Sequence, residues 1–398
     1  MVDPLLDYLD DVLDAAWMPF GPPVPGVGVE ADAPPQTLRV AEHYGAFEVE
    51  YAALRRSVGV VHAPWKAALR LNGADAADFL HRMCTQDVLG LPADGGVAPA
   101  LLLDAKGHIL ADFAVQRDPS GCTVWVDRFD LATLHQQLDR MLFAEDVTLS
   151  VPPSAVFLLA GPAAGSAVAE ACDSGGEVGE PLSPGRAVGR SIGGVPVSVW
   201  REDGGGTEPL LHVATTFEAD DADAPVRVLR ALLTASGLDP DAPHAEPTEA
   251  DAERRRQTLR GTASGWAAFN TWRVETRRPM FHLDYGPTSL PAEAHRVASH
   301  VSLTKGCFAG QEAVARMHNL GHPKKLIVAL DLERGEPPAT GAEVTADGQA
   351  VGAVTSSAAS PLRGQAPVAL ATVRWGRHEA GEVLAVNGVR AEVRPMGG

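Results

Sequence analysis

The stretch after His322-Pro323 constrains the fold more than any other. Six short apolar runs follow it: Leu326–Leu332, Ala342–Thr345, Val351–Thr355, Pro367–Val373, Glu382–Val386 and Arg390–Val393. Turn signals separate them, among them Ala346-Asp347-Gly348 and Asn387-Gly388. Runs this short are strands rather than helices, and their even spacing suits antiparallel strands closed on themselves. The expectation is a C-terminal β-barrel over residues 322–398.

Upstream, the pattern mixes strands with amphipathic helices. Lys66–Leu71 reads as a strand, and Asn72-Gly73-Ala74-Asp75 opens a helix whose Ala76, Phe79, Leu80 and Met83 share one face. Val97–Leu103 and His108–Gln116 flank the turn Asp104-Ala105-Lys106-Gly107, a hairpin. Cys122–Val126 adds a strand, and Leu131, Leu134, Leu138, Met141 and Leu142 mark a second helix. A further unit holds the strands Ala155–Leu159, Val195–Trp200 and Leu210–Ala214, and the helix Pro225–Ala235 closed by Gly237. Sheets with helices on one face make the fold class α+β. The Pro/Gly-rich residues 1–35 read as an extended N-terminal arm, and the acidic 239–253 as a linker.

Formal net charge is −18, so nucleic acid and anionic membranes are not expected partners. The N-terminus lacks the basic start and apolar run of a signal peptide. No apolar run reaches the roughly 18 residues needed to cross a bilayer. A cytoplasmic protein is expected. Cys84, Cys122, Cys172 and Cys307 lie far apart, which suits reduced thiols rather than a zinc site or a disulfide framework. No metal site is expected.

One segment concentrates unusual chemistry: Lys305-Gly306-Cys307-Phe308-Ala309-Gly310-Gln311-Glu312. The residues Gln311–Asn319 read as a helix with Gly321 past its end. Cys307 then lies in a loop ahead of a helix N-terminus and beside Lys305, both of which favour a thiolate. The alternative is a small buried apolar cysteine.

This K-G-C-F-A-G-Q-E segment, continued by Ala313-Val314-Ala315-Arg316, resembles the signature of the YgfZ-like folate-binding proteins, relatives of the glycine-cleavage T-protein (aminomethyltransferase). Ser57–Val61, Leu71–Val88, Leu101–Val115, Arg273–Pro279 and Val351–Pro361 resemble the superfamily's framework in the same order. The resemblance implies a T-protein-like three-domain arrangement, two α+β domains around a central cleft plus the C-terminal β-barrel. The first domain would span 36–154 with 254–320 returning, and the second 155–238.

It also implies tetrahydrofolate or a one-carbon derivative as cofactor, and a role in iron–sulfur cluster assembly or maintenance, with iron–sulfur client or assembly proteins as partners. Cys307, Lys305 and Asp112 are the candidate catalytic residues. Glu202, Arg273, Gly310, Gln311, Glu312 and Arg316 are the candidate folate-binding ones. T-proteins usually carry paired aspartates where this chain reads Ala111-Asp112, and usually lack the cysteine, so the sequence leans to the YgfZ-like branch. A folate-dependent aminomethyl transferase is the alternative, and a folate-independent adaptor is a third class. Glu202 suits the N–H edge of a pterin, or else is a charged turn. The Arg-x-Glu element at Arg273 normally runs on to a glycine, and Arg277 stands in that stretch instead. The basic run Arg316, His318, His322, Lys324 and Lys325 would attract a glutamate tail, and Trp200, Trp266, Trp272 and Phe308 are candidates to stack on folate rings.

Overall fold

The structure is a computed structural model describing residues 3–27, 34–174, 185–202, 206–241 and 261–396. Two sheets and a barrel carry the chain. A five-stranded antiparallel sheet has the order Val97–Leu103, Ile109–Asp118, Gly121–Asp127, Lys66–Asn72, Thr148–Ser150. A six-stranded sheet runs Val188–Ile192, Val195–Arg201, Leu210–Thr216, Ser154–Ala160, Gly59–His62, Thr262–Ala263. Only the last pair in it is parallel. Strands of the C-terminal segment close into a six-stranded barrel, as their spacing predicts.

Each sheet buries both faces, and period-two alternation sorts the side chains. On Ile109–Asp118, Ala111 and Val115 enter a core shared with the helices Ala76–Met83 and Arg128–Asp139. On Val195–Arg201, Val195, Val197 and Val199 pack with the helices Ala164–Ala171 and Ala224–Ala235, while Trp200 points the other way. The inner faces of the two sheets meet the helix Trp266–Glu275 in a third core containing Trp65, Trp125, Trp200, Phe269 and Trp272. The helix before Arg140 ends sooner than its apolar spacing suggests: it stops at Asp139, and Met141 is exposed.

The N-terminal stretch departs from the expected arm. Pro4–Asp11 is a helix, because Asp3 accepts the N–H groups of Leu5 and Leu6 and Pro4 occupies the first turn. Its Leu5, Tyr8 and Leu9 are buried in the core of the six-stranded sheet. Ala16–Val24 then pairs with Gln36–His43, and Phe20 packs on Trp65. Proline here shapes an edge strand rather than preventing one. Of the linker expected at 239–253, all but residues 239–241 lie outside the described residues.

The barrel is fastened to the body by Arg273. Its guanidinium pairs with Asp284 at 2.8 Å and donates to Ser356 Oγ on a barrel strand at 2.7 Å, while Asp284 accepts from Thr355 at 2.7 Å. Both Arg273 and Asp284 are almost wholly buried, so removing either partner would strand a charge at a cost of about 3–5 kcal/mol. Arg277 takes the left-handed conformation, φ +58°, at the end of the helix Trp266–Glu275. The N–H of Arg277 bonds Val274 O and that of Arg278 bonds Arg273 O, the paired closure that ordinarily selects glycine.

Candidate functional site

A central cavity opens between the inner faces of the two sheets, under the segment that follows the helix Trp266–Glu275. Alternation on the strand Ile109–Asp118 that buries Ala111 turns Asp112 and Ala114 to this cavity. On the facing sheet, Trp200 and His212 project into it, and Glu202 stands just past the strand end. Their rings stack, Trp200 on His212 at 4.8 Å and on Trp125 at 5.8 Å, giving the cavity a flat aromatic wall.

Two carboxylates dominate its electrostatics. Asp112 accepts from the Tyr285 hydroxyl and lies 3.3 Å from His300 Nε2 and 3.5 Å from Arg296 Nε. Burial pushes its carboxyl up, but the charges of His300 and Arg296 outweigh burial and hold it down at about 2. Asp112 is therefore an anion at neutral pH. Glu202 pairs with Arg278 through one oxygen and meets His212 Nε2 at 3.0 Å through the other. Burial again opposes ionisation, and Arg278 with His212 overcomes it to keep Glu202 well below the usual carboxylate range. Lys66 completes the polar lining, paired with Asp127 at 2.7 Å. Trp65 Nε1, also in the lining, is a buried donor without a partner among the described residues.

A pterin fits this donor and acceptor set. It is flat, and it presents N–H groups along one edge, which a carboxylate with spare lone pairs can accept. Glu202, held ionised with both oxygens engaged, could supply such an acceptor, and the Trp200 face such a plane. Trp65 Nε1 is a donor left for a ring carbonyl or nitrogen.

Of the residues singled out in the sequence, Asp112 and Glu202 come together here, although one hangs from each sheet. Trp200 also lines the cavity, whereas Trp266 and Trp272 pack in the neighbouring core and Trp272 donates to Glu208. Arg273 lies outside the lining, spent on Asp284 and Ser356.

The signature segment lies outside the cavity lining as well. Cys307 is exposed in the loop ahead of the helix Gln311–Leu320, not buried. Lys305 does not present its charge freely to the thiol. Its ammonium donates to the carbonyls of His81, Cys84 (2.5 Å) and Gln86 (3.2 Å), at the end of the helix Ala76–Met83, and lies over the Phe308 ring. Gly310 is left-handed, φ +77°, and a Cβ there would stand 2.5 Å from Asp104 O, so only glycine lets the segment seat on the hairpin turn. Gln311 accepts from Phe308 N at 3.2 Å, Glu312 is exposed in the helix's first turn, and Arg316 is exposed.

Arg278, His212, Tyr285, Arg296, His300 and Lys66 escaped the sequence reading. The signal available for His212 is a polar residue inside an otherwise apolar strand; Lys66 opens its strand, Arg278, Tyr285 and Arg296 sit on irregular segments, and His300 ends the one-turn helix Val297–His300. Among the described residues, no helix is long and apolar enough to cross a membrane.

Comparison with known proteins places this geometry. Residues 35–201 match the GCVT N-terminal domain, and residues 325–396 match the glycine cleavage T-protein C-terminal barrel domain. The aminomethyltransferase of Corynebacterium jeikeium (strain K411) is 24% identical over 349 residues, 86% of this chain and 85% of that protein. The mitochondrial iron-sulfur cluster assembly factor IBA57 of Mus musculus is 35% identical over 123 residues, 29% of this chain and 32% of that protein. The crystal structure of glycine cleavage system aminomethyltransferase T from Bartonella henselae superposes with a TM-score of 0.75 at 18% identity, covering 98% of this chain and 96% of that one. The fold is that of the T-protein, two α+β sheets and a six-stranded barrel.

Proposed function

The chain belongs to the glycine-cleavage T-protein superfamily, and from that premise we propose that it binds tetrahydrofolate or a one-carbon derivative in the central cavity and supports iron–sulfur proteins through the thiol of Cys307. One observation carries the folate reading. Glu202 and Asp112, on different sheets, face a single aromatic-walled cavity, and both are held as anions there by fixed cations. Glu202 binds the pterin edge in this reading, and Asp112 lies where a folate nitrogen would change charge.

The thiol is a separate matter. Cys307 is exposed on the K-G-C-F-A-G-Q-E loop, outside the cavity lining, and so is available to another molecule. A cluster takes about four protein ligands, so one thiol would share a cluster with a partner or small thiols. The partial likeness to the mouse assembly factor supports this branch.

A second reading, a folate-dependent aminomethyl transferase, is favoured by Asp112, an ionised carboxylate aimed at the cavity, and by the aminomethyltransferases that match along most of their length. Calorimetric titration with tetrahydrofolate, beside a Cys307→Ser variant, tests the first reading. Micromolar binding unchanged by the substitution, with loss of rescue in a deletion strain, is expected. Full rescue by Cys307→Ser sinks the thiol role. Turnover in a one-carbon transfer assay, abolished by Asp112→Asn with folate still bound, would favour the transferase.

A further inference from the structure

His300 reaches Asp112 as one link of a longer chain. Its Nε2 lies 3.3 Å from Asp112 Oδ1, and its Nδ1 lies 2.7 Å from the hydroxyl oxygen of the preceding residue, Ser299. His300 is buried in the lining of the central cavity, whereas Ser299 is half-buried and outside that lining. Tyr285 and Arg296 engage the other oxygen of the same carboxylate, so Oδ1 depends on His300.

An imidazole in this place needs a second contact. Turning the ring over about its bond to Cβ puts Cε1 where Nε2 stands and Cδ2 where Nδ1 stands, and Asp112 then faces a carbon. Asp112 is ionised and can only accept, so the nitrogen turned to it carries a hydrogen. A hydroxyl suits the opposite nitrogen, because it donates to a bare nitrogen and accepts from a protonated one. Ser299 therefore favours one ring orientation whether His300 is neutral or charged.

The backbone beneath the ring is tied down as well. Thr85 donates to the His300 carbonyl at 2.6 Å, and Gln86 Nε2 donates to that of Ser299 at 3.3 Å. The same turn receives Lys305, whose ammonium donates to the carbonyls of Cys84 and Gln86. From outside the cavity, the signature lysine thus braces the platform on which the ring stands.

We propose that Ser299 is a positioning residue for the central cavity: its hydroxyl keeps His300 Nε2 turned to Asp112, so that a ligand meets a carboxylate already ordered. The inference rests on the folate reading above for what the cavity binds, and adds a residue outside the lining that sets its geometry. Support of this kind holds a binding group in its productive place.

The test records the ring proton–nitrogen correlations of His300 in the full chain, assigned by their loss in His300→Gln, beside calorimetry with tetrahydrofolate. Wild type is expected to show one ring state with a hydrogen fixed on Nε2. Ser299→Ala should give a signal averaged between ring states and an affinity about three- to tenfold lower. Ser299→Thr, which keeps the hydroxyl, should restore both. Unfolding midpoints show whether each variant is folded, and Ser299→Gly takes the place of Ser299→Ala if the latter is not. A ring signal unaltered by loss of the hydroxyl overturns the proposal even if affinity and midpoint fall, since that pattern is a structural role alone. A folded Ser299→Thr protein that fails to restore the signal overturns it too, as does an unchanged affinity once the ring is released. Failure of wild type to bind tetrahydrofolate overturns the folate reading instead, and the ring signal still decides whether Ser299 positions His300.

Discussion

His300 Nε2 lies 3.3 Å from Asp112 Oδ1, and the guanidinium of Arg296 closes on the other oxygen of the same carboxylate. This triangle fixes the charge of Asp112 in the cavity and gives it a pH signature. The folded carboxyl stands at about 2, below its unfolded value of about 3.9. A depressed carboxyl stabilises the fold above the unfolded pKa, and that contribution disappears as pH falls through the folded one. Asp112→Asn should therefore cost about 2 kcal/mol at pH 6, with the gap to wild type closing between about pH 4 and pH 2. Urea unfolding of both proteins across that range measures it; a gap that does not vary with pH would mean the carboxylate is not held this way.

Glu202 predicts ligand loss on top of a loss of stability, since its substitution leaves the buried Arg278 without its carboxylate. Glu202→Gln keeps the shape but removes the charge that Arg278 and His212 surround, and it leaves an amide that cannot accept at both atoms. Tetrahydrofolate affinity should fall about 10- to 100-fold. Calorimetry showing unchanged affinity would remove Glu202 from the ring site.

Lys305 separates a structural lysine from a thiol-activating one. Lys305→Met deletes an ammonium that ties three carbonyls of the His81–Gln86 turn, and should lower stability by about 1–3 kcal/mol. Thermal unfolding reads this directly. An unaltered midpoint together with a slower reaction of Cys307 with an alkylating agent would assign the lysine to the cysteine instead.

Arg277 occupies a position that suits glycine. Arg277→Gly should relieve about 1 kcal/mol of left-handed strain, partly offset by loss of the bond from Arg277 Nη1 to Pro395 O at 2.7 Å. A net gain of about 0.5 kcal/mol in denaturant unfolding, with folate binding unchanged, is the expected result. A loss of more than about 1 kcal/mol would show that the link to the barrel terminus outweighs the strain.

Local pattern was enough for much of this protein. The short apolar runs, Leu326–Leu332 and its successors, specified barrel strands by their length and even spacing, and Leu326–Leu330 proves to be buried on both faces. The face carrying Phe79 and Leu80 specified a helix, whereas the left-handed conformation of Gly310 and its seat on Asp104 came only with the structure. The signature also announced an unusual loop, and Cys307 is exposed on it. Asp112 and Glu202 were legible as residue types in the right neighbourhoods.

What they face was decided only by tertiary structure. Asp112 points at the cavity because Ala111 must enter the core, and the partners that hold it ionised are Tyr285, Arg296 and His300, distant in sequence and placed on irregular backbone or at the end of a one-turn helix. Arg273 and Lys305 looked like site residues because their sequence neighbours were distinctive. Their charges were claimed by Asp284 and by the carbonyls of a helix end, since a buried charge has to be matched by whatever the fold brings within about 3 Å. Sequence can name a charged group and set the period of its strand, but the field that gives the group its chemistry comes from residues that only folding brings together.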